Sequence, residues 1–510
     1  MNSKRLASLL TAGLLLVSPG VARASAPSTL PPVVSRYAVP AGDALTEYAR
    51  TVQLSLPHGV GGQLTMVPER MLLEPFRHPA EAVVRRLLSF PGSDSALPLW
   101  QDGTLQLMTG SAVELSGDVA TVDLGATALM LDARSLYTIS RAIANTLTQF
   151  ADIRYVNVLI AGMQPGVDTA ATFPAGSFRQ TGNEDALARW ENVSAQASAT
   201  DGATRRFSAV ATLYFPVSAG RGVVAEARPI TVAGQTREQM AAALIAALAQ
   251  GAQTLPGVPR FADLASLLSE VPALTTLPGT GERVISLKFL DTFNEKLLEA
   301  GIPRSVMMAS LTLTLTTFIP GITGITVSIG HEAVTAVVPA GTYSGSGVSI
   351  LFADGVMRRS DFPHFLLTYA TLYFANANGT LTAVKRPVPY RSAYNPRFIL
   401  GQLMEGPHAA DSVQGLSPCL PAGLNDAAII GVAQPNDAMV INFSSAVIES
   451  ARGLTPQAER IMVYGLVNTL TALPQVKRVA FFVEGSQPDS LAGSIYLPGE
   501  FLRNPEIIGN

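Results

Sequence analysis

A chain of 510 residues, 48% hydrophobic and 14% charged, has the length for roughly three to four domains and enough apolar material to give each a core. Its formal net charge of −3 and lack of any clustered Lys/Arg run leave no positive field to draw in nucleic acid or an anionic membrane. The single cysteine, Cys419, excludes a disulfide within the chain and argues against a cysteine-built metal site.

At the N-terminus Lys4 and Arg5 precede an apolar stretch from Leu6 to Val17, broken by Pro19 and Gly20. Ala22-Arg23-Ala24 and Ala24-Ser25-Ala26 then offer small-x-small cleavage sites, so residues 1–26 read as a signal peptide and 27–45 as a linker. The stretch is shorter than the about 20 residues of a membrane-spanning helix, and only an uncleaved segment would tie the protein to a membrane. Val306 to Ile319 is apolar but interrupted by threonines and stopped by Pro320.

Internal repetition organises the remainder. Ala211-Thr-Leu-Tyr-Phe215 recurs as Ala370-Thr-Leu-Tyr-Phe374, with a fainter Val52-Gln-Leu-Ser-Leu56 the same distance upstream. Each is followed by an extended segment carrying one of three evenly spaced arginines, Arg70, Arg228 and Arg386. A helix should follow in each copy. Pro79 to Leu88 supplies it in the first, a Thr236–Gln239 capping box opens it in the second, and Asn395-Pro396 opens it in the third. Strands come next, at Ala112 to Leu115 with Val119 to Leu124, at Val284 to Leu290, and at Ala428 to Ala433 with Ala438 to Phe443. The second copy shows no partner for its strand, and Gly251 to Gly281 there reads as an insertion.

A second helix then runs into a strand. The first copy has Asn145-Thr-Leu-Thr148 before Val156 to Ile160, and the third has Asn468-Thr-Leu-Thr471 before Val479 to Val483. Leu313-Thr-Leu-Thr316 before Ile325 to Ile329 is the second copy's version. Leu136, Ile139, Ile143 and Leu147 give that helix one apolar stripe. The copies close on Ala171 to Arg179, Gly347 to Arg358 and Gly493 to Arg503. Units are therefore expected over 46–190, 200–362 and 363–510, with the polar stretch Asn192 to Thr204 as a linker. The fold class is α/β: three tandem sandwiches, each a small mixed sheet with two helices on one face.

Few residues suggest chemistry. His58, His78, His331, His364 and His408 stand at no ligand spacing, and Thr335 occupies the place of the second histidine after His331-Glu332. Gly341-Thr-Tyr-Ser-Gly345 lacks the spacing and the following helix of a nucleophile turn. Gly59 to Gln63 reads as a hairpin turn, and Asp291 with Glu295 as a solvated helix face. No cofactor, metal or small-molecule substrate is implied. The polar positions of most interest are Arg70, Arg228 and Arg386, read as salt bridges within each unit or as contacts between units.

The order of a Thr-Leu-Tyr-Phe strand, an Arg-Pro segment, a helix ending Glu405-Gly-Pro407, a hairpin, a helix ending Asn-Thr-Leu-Thr and a strand ending at Gly485 resembles the sporulation and spore germination domain family, the GerM or GerMN domain. The likeness is fullest over 366–510. It implies a bacterial envelope protein linked to sporulation or germination, built of modules similar to ring-building motifs. Members are often lipoproteins, but here no cysteine stands near the end of the signal. The expected function is that of an exported, non-enzymatic scaffold whose partners are other envelope proteins or copies of itself. The rival is a secreted carbohydrate- or peptidoglycan-binding protein, or a cell-wall enzyme with a site assembled only in the fold.

Overall fold

The computed structural model describes residues 37–58, 63–100, 103–110, 112–167, 173–180, 206–409, 411, 413 and 415–509. The signal peptide, most of the first linker, the Gly59 turn and the linker from Asn192 lie outside these residues. One order of elements runs three times along the chain. The first unit has strands β1 (Tyr48–His58) and β2 (Gln63–Leu73), helix α1 (Ala80–Leu88), β3 (Val113–Ser116), β4 (Val119–Leu124), helix α2 (Ala133–Leu147), β5 (Tyr155–Ile160) and β6 (Ser177–Phe178).

The second unit has β7 (Arg206–Val217), β8 (Gly222–Ala233), α3 (Arg237–Ala249), β9 (Ala273–Thr276), β10 (Arg283–Phe289), α4 (Phe293–Glu299), α5 (Arg304–Phe318) and β11 (Gly324–Ile329), with β12 (Glu332–Ala333), β13 (Ala336–Val337) and β14 (Ile350–Leu351) following. The third has β15 (Leu367–Ala375), β16 (Leu381–Pro389), α6 (Pro396–Met404), β17 (Ile429–Ala433), β18 (Ala438–Phe443), α7 (Ala446–Ala451), α8 (Pro456–Leu470), β19 (Arg478–Val483) and β20 (Phe501–Leu502). Among the described residues no helix is long and apolar enough to cross a membrane.

Each unit pairs a two-stranded hairpin with a separate four-stranded sheet. The sheets share one pattern, in which the central two strands run parallel and both edges antiparallel. The parallel step is bridged by α2, α5 or α8, as a crossover connection requires. Cap chemistry sets the helix starts. Thr236 and Gln239 form the reciprocal capping box, and the Asn395 side chain accepts from the N–H groups of Arg397 and Phe398.

Three expectations need correction. β9 is the missing partner of β10, and it lies inside the segment read as an insertion. Its residues are mostly exposed, so no apolar alternation marks it. The closing parallel drawn from Gly347 to Gly493 also fails, because Ile350–Leu351 pairs with Ala336–Val337. The shared closing residues are Phe178, Met357 and Phe501, which pair with Val156, Ile325 and Val479. Asp291 precedes α4 and does not share a helical turn with Glu295.

The recurring Thr-Leu-Thr has a physical reason. The first threonine of each motif, Thr146, Thr314 or Thr469, accepts the backbone N–H of Ser55, Tyr214 or Tyr373 at 2.9, 3.0 and 3.1 Å. Those N–H groups lie on the open edge of a hairpin, which would otherwise be buried without a partner. The second threonine, Thr148, Thr316 or Thr471, donates to the carbonyl four residues earlier at 2.7 Å. Thr469→Val should therefore cost about 1–3 kcal/mol, the usual consequence of stranding a buried donor. Faster hydrogen exchange across Leu367–Ala375 is the measurement, and unchanged protection there would refute the role.

The first and third units share one continuous apolar core, running from Val52 and Leu54 through Ile143 to Leu372, Ile441 and Leu466. A second core belongs to the second unit and takes in Val119, Val167 and Phe173 of the first. The units are packed bodies in mutual contact, not beads on a string.

Candidate functional site at the unit junctions

Arg228 and Arg386 sit inside their own units. Arg386 donates to the Gln402 and Gly406 carbonyls at the end of α6, at 2.8 and 2.7 Å, and grips Asp411 with two bonds of 3.0 and 2.7 Å. Its guanidinium lies 5.4 Å from the Phe374 ring centre. Arg228 repeats this with the carbonyls of Ala247 and Gly251, the Phe215 ring at 5.3 Å, and Glu226 at 3.5 Å.

Arg70 does not follow them. In register, Arg228 and Arg386 stand opposite Ala211 and Ala370, and the matching Val52 stands opposite Glu69. Glu69 faces inward and binds Arg86 of α1 at 2.7 Å, so here the strand supplies the acid and the helix the base. Arg70 is exposed on the opposite face of the hairpin.

Contact between units is made by Thr212 and Tyr214 of the repeated motif together with residues the sequence did not single out. Arg359 of the second unit pairs with Glu114 on β3 of the first, bonds Thr317 at 2.8 Å and the Tyr214 hydroxyl at 3.2 Å, and lies 5.5 Å from the Tyr214 ring centre. Burial would lower its pKa, but Glu114 and Tyr214 outweigh that and hold it above the ordinary value. Thr121 reaches the Tyr214 hydroxyl at 3.3 Å, and Ser177 bonds Thr212 at 2.7 Å. The outer face of the first unit's sheet thus lies on the hairpin of the second.

All three units meet at the turn between β3 and β4. Ser116 donates to the Leu367 carbonyl at 2.6 Å and accepts from the Ala225 N–H at 2.9 Å. Beside it lies a cavity of about 340 Å³ lined by Asp118, Arg154, Leu255, Tyr369, Thr371 and Lys385 among others. A buried polar cluster staples the first unit to the third. His78 Nδ1 accepts the Ala80 N–H at 3.1 Å, which leaves Nε2 to donate to Asp152 at 3.3 Å, while the Tyr394 hydroxyl donates to Asp152 at 2.7 Å. Burial opposes charge on Asp152, yet His78 and Tyr394 together hold its carboxyl below the usual range. Burial and Asp152 push the Tyr394 phenol well up. Among the described residues no group of three or more His, Cys, Asp or Glu is placed to hold a metal ion.

Residues 57–165 and 371–489 match the family described as Germane, sporulation and spore germination. The two matches fall on the first and third units and leave out the second. The tandem GerMN domains of the sporulation protein GerM from Bacillus subtilis are 17% identical, covering 59% of this chain and 99% of theirs, with a TM-score of 0.22. The first GerMN domain of the same protein is 17% identical over 22% of this chain and 84% of its own, with a TM-score of 0.19. A protein from Clostridium perfringens described as a lipoprotein is 21% identical over 27% and 87%, with a TM-score of 0.18. No curated protein matches the chain.

The three units differ in what covers their outer sheet faces. Register identifies the equivalent cross-strand pairs as Thr121 with Asn157, Ser286 with Thr326, and Val440 with Ala480. The first pair is buried at the junction with the second unit. Val440 and Ala480, with Phe482, lie under the segment from Tyr37 to Ala44. That strap is held by Ala44 N–H on the Val432 carbonyl at 2.8 Å, Asn442 on the Pro40 carbonyl at 3.0 Å, and Asp43 on Arg397 at 2.8 Å. Ser286 and Thr326 remain half-buried, beside Val284 and Val356, which are fully buried. Tyr214 and Tyr373 stood in the repeated motif, and the arginines that meet their hydroxyls, Arg359 and Arg503, near the unit ends. The first copy's Ser55 and Gln180 at those places were the signal that its hairpin is used differently.

Proposed function

We propose that the protein is an exported, non-enzymatic scaffold of the bacterial cell envelope, acting in sporulation or spore germination. Its partners would be other envelope proteins or copies of itself. The observation that carries this reading is the junction at Glu114 and Arg359, where the sheet of one unit sits on the hairpin of the next. That is assembly of like modules, carried out within one chain. The recurring polar residues support the same reading, because they are consumed by structure: threonines close hairpin edges, and Arg228 and Arg386 hold helix ends. The family matched by the first and third units supports the setting, and the Lys4 to Ala26 segment supports export.

In the organism that makes it, the protein should be recovered from the envelope with its N-terminus processed after Ala24 or Ala26, in an assembly larger than one chain. Purified protein should release no fragments from peptidoglycan above a blank. Unprocessed chain in the cytosol would overturn the location. Fragment release abolished by one acidic substitution would overturn the non-enzymatic role.

A further inference from the structure

The cavity where the three units meet takes walls from all of them: Asp118 and Arg154 from the first, Leu255 and Pro256 from the second, Thr371 and Lys385 from the third. The Tyr369 hydroxyl joins the last two by donating to the Pro256 carbonyl at 2.8 Å. At about 340 Å³ the cavity falls within the ~300–1,000 Å³ of small-molecule sites.

The repeat shows what is special to this place. Pairing sets Thr371 against Lys385, where the second unit has Thr212 against Ala227 and the first has Gln53 against Pro68. Lys385 is therefore a charge that neither sister hairpin carries at that position. In the second unit Thr212 is taken up by Ser177 of the first unit's sheet, whereas Thr371 opens on the cavity.

Three carboxylates stand near that charge, and two are already engaged. Glu226 accepts the Gln253 and Thr254 N–H groups and the Thr254 hydroxyl at 2.9, 2.7 and 2.8 Å. Asp152 is held by His78 and Tyr394. The third, Asp118, faces Arg154 at 3.7 Å, too far for a hydrogen bond. Burial pushes the Asp118 carboxyl up, against the pull of Arg154 and Lys385. Among the described residues neither the Lys385 ammonium nor the Thr371 hydroxyl has a hydrogen-bond partner. One positive charge is left over.

We infer that this cavity binds a small molecule carrying one carboxylate on an apolar body. The carboxylate meets Lys385, the Thr371 hydroxyl and Arg154, and the body lies on Leu255, Pro256, Leu473 and Pro474. A single negative charge answers the one unpaired cation, whereas a dianion such as phosphate sets a further charge against Asp118. The site goes beyond the scaffold reading and does not rest on it. Because three units line the cavity, a ligand there also favours their joined arrangement over a loosened one.

Ligand-observed NMR titration of the processed chain at pH 7 should give hexanoate a Kd of about 1 mM or tighter, with hexanamide and hexylamine at least about tenfold weaker. N-acetyl-alanyl-leucine and its amide separate the two sources of such a carboxylate. Tighter binding of the peptide acid than of hexanoate assigns the site to chain ends, and the reverse assigns it to free acids. Lys385→Met should weaken hexanoate at least about tenfold and leave the fold intact, since the side chain is exposed. Asp118→Asn should tighten hexanoate by about threefold, the sign expected from removing a like charge and not from a merely structural aspartate. Hexanoate should also slow hydrogen exchange at Ala225 in the wild-type chain. Failure of both hexanoate and the peptide acid to bind overturns the inference, as does equal binding of the uncharged amides. So does binding that Lys385→Met leaves intact, or inorganic phosphate that competes as well as hexanoate. None of these results touches the location and peptidoglycan tests.

Discussion

Replacing Arg386 with methionine is expected to destabilise the third unit by about 3–5 kcal/mol at neutral pH, because it leaves a buried carboxylate without its partner. Asp411 would keep the His408 N–H at 2.6 Å but lose both guanidinium bonds, and the Gln402 and Gly406 carbonyls at the end of α6 would lose a shared donor. Burial alone would raise the Asp411 pKa, but Arg386 and the His408 N–H bring it below its ordinary value. A depressed folded-state pKa means the contribution is present above the unfolded-state carboxylate pKa, about 3.9, and fades as pH falls below it. The gap between variant and parent should therefore be widest near neutrality and narrow in acid. Urea unfolding followed at pH 7 and near pH 2.5, with hydrogen exchange across Pro396–Met404, measures both. Adding Asp411→Leu should recover most of the loss, since a buried pair replaced on both sides costs far less than one broken. Arg70→Met, on the exposed face, should change stability by no more than about 0.5 kcal/mol. Equal losses at Arg70 and Arg386 would contradict the register argument.

That contrast shows what the sequence could and could not convey. Leu54, Leu213 and Leu372 do occupy equivalent strands, and the Thr-Leu-Thr motifs do end equivalent helices, because both are tied to one hydrogen bond repeated in each unit. Even spacing was a poorer guide for the arginines. A hairpin's register is fixed by strand pairing, and a one-residue offset carries a side chain to the other face. Arg70 keeps the spacing of Arg228 and Arg386, while Glu69 keeps their orientation. β9 escaped because an edge strand with exposed Ala273, Thr275 and Thr276 lacks an apolar alternation to mark it. The junctions were illegible for another reason. Glu114 and Arg359 are 245 positions apart, and nothing local in either segment encodes their meeting.

The largest effect on the arrangement of the units is expected at Gly117, at the tip of the turn between β3 and β4. Its φ of +59° already favours glycine, and a side chain there costs about 1–2 kcal/mol before any contact is counted. A Cβ would also stand 2.1 Å from the Ala225 carbonyl oxygen and 3.3 Å from a Val224 methyl. Backbone on both sides makes relief by a side-chain rotation unavailable, so the turn must withdraw from β8. Overpacking of this kind typically adds about 1–3 kcal/mol. Withdrawal would pull Ser116 from the Ala225 N–H and the Leu367 carbonyl, the two bonds that join the first unit to the second and third. Gly117→Val should therefore loosen the junction while leaving Thr146, Thr314 and Thr469 on their hairpins. Hydrogen exchange separates the two results. Protection should fall at Ala225 and around the three-unit cavity, and remain at Ser55, Tyr214 and Tyr373. Gly103, which has φ +63° but nothing within 4 Å of its Cβ position, supplies the control. If Gly103→Val disturbs the junction as much as Gly117→Val, backbone strain alone explains the effect and the close approach to Ala225 does not.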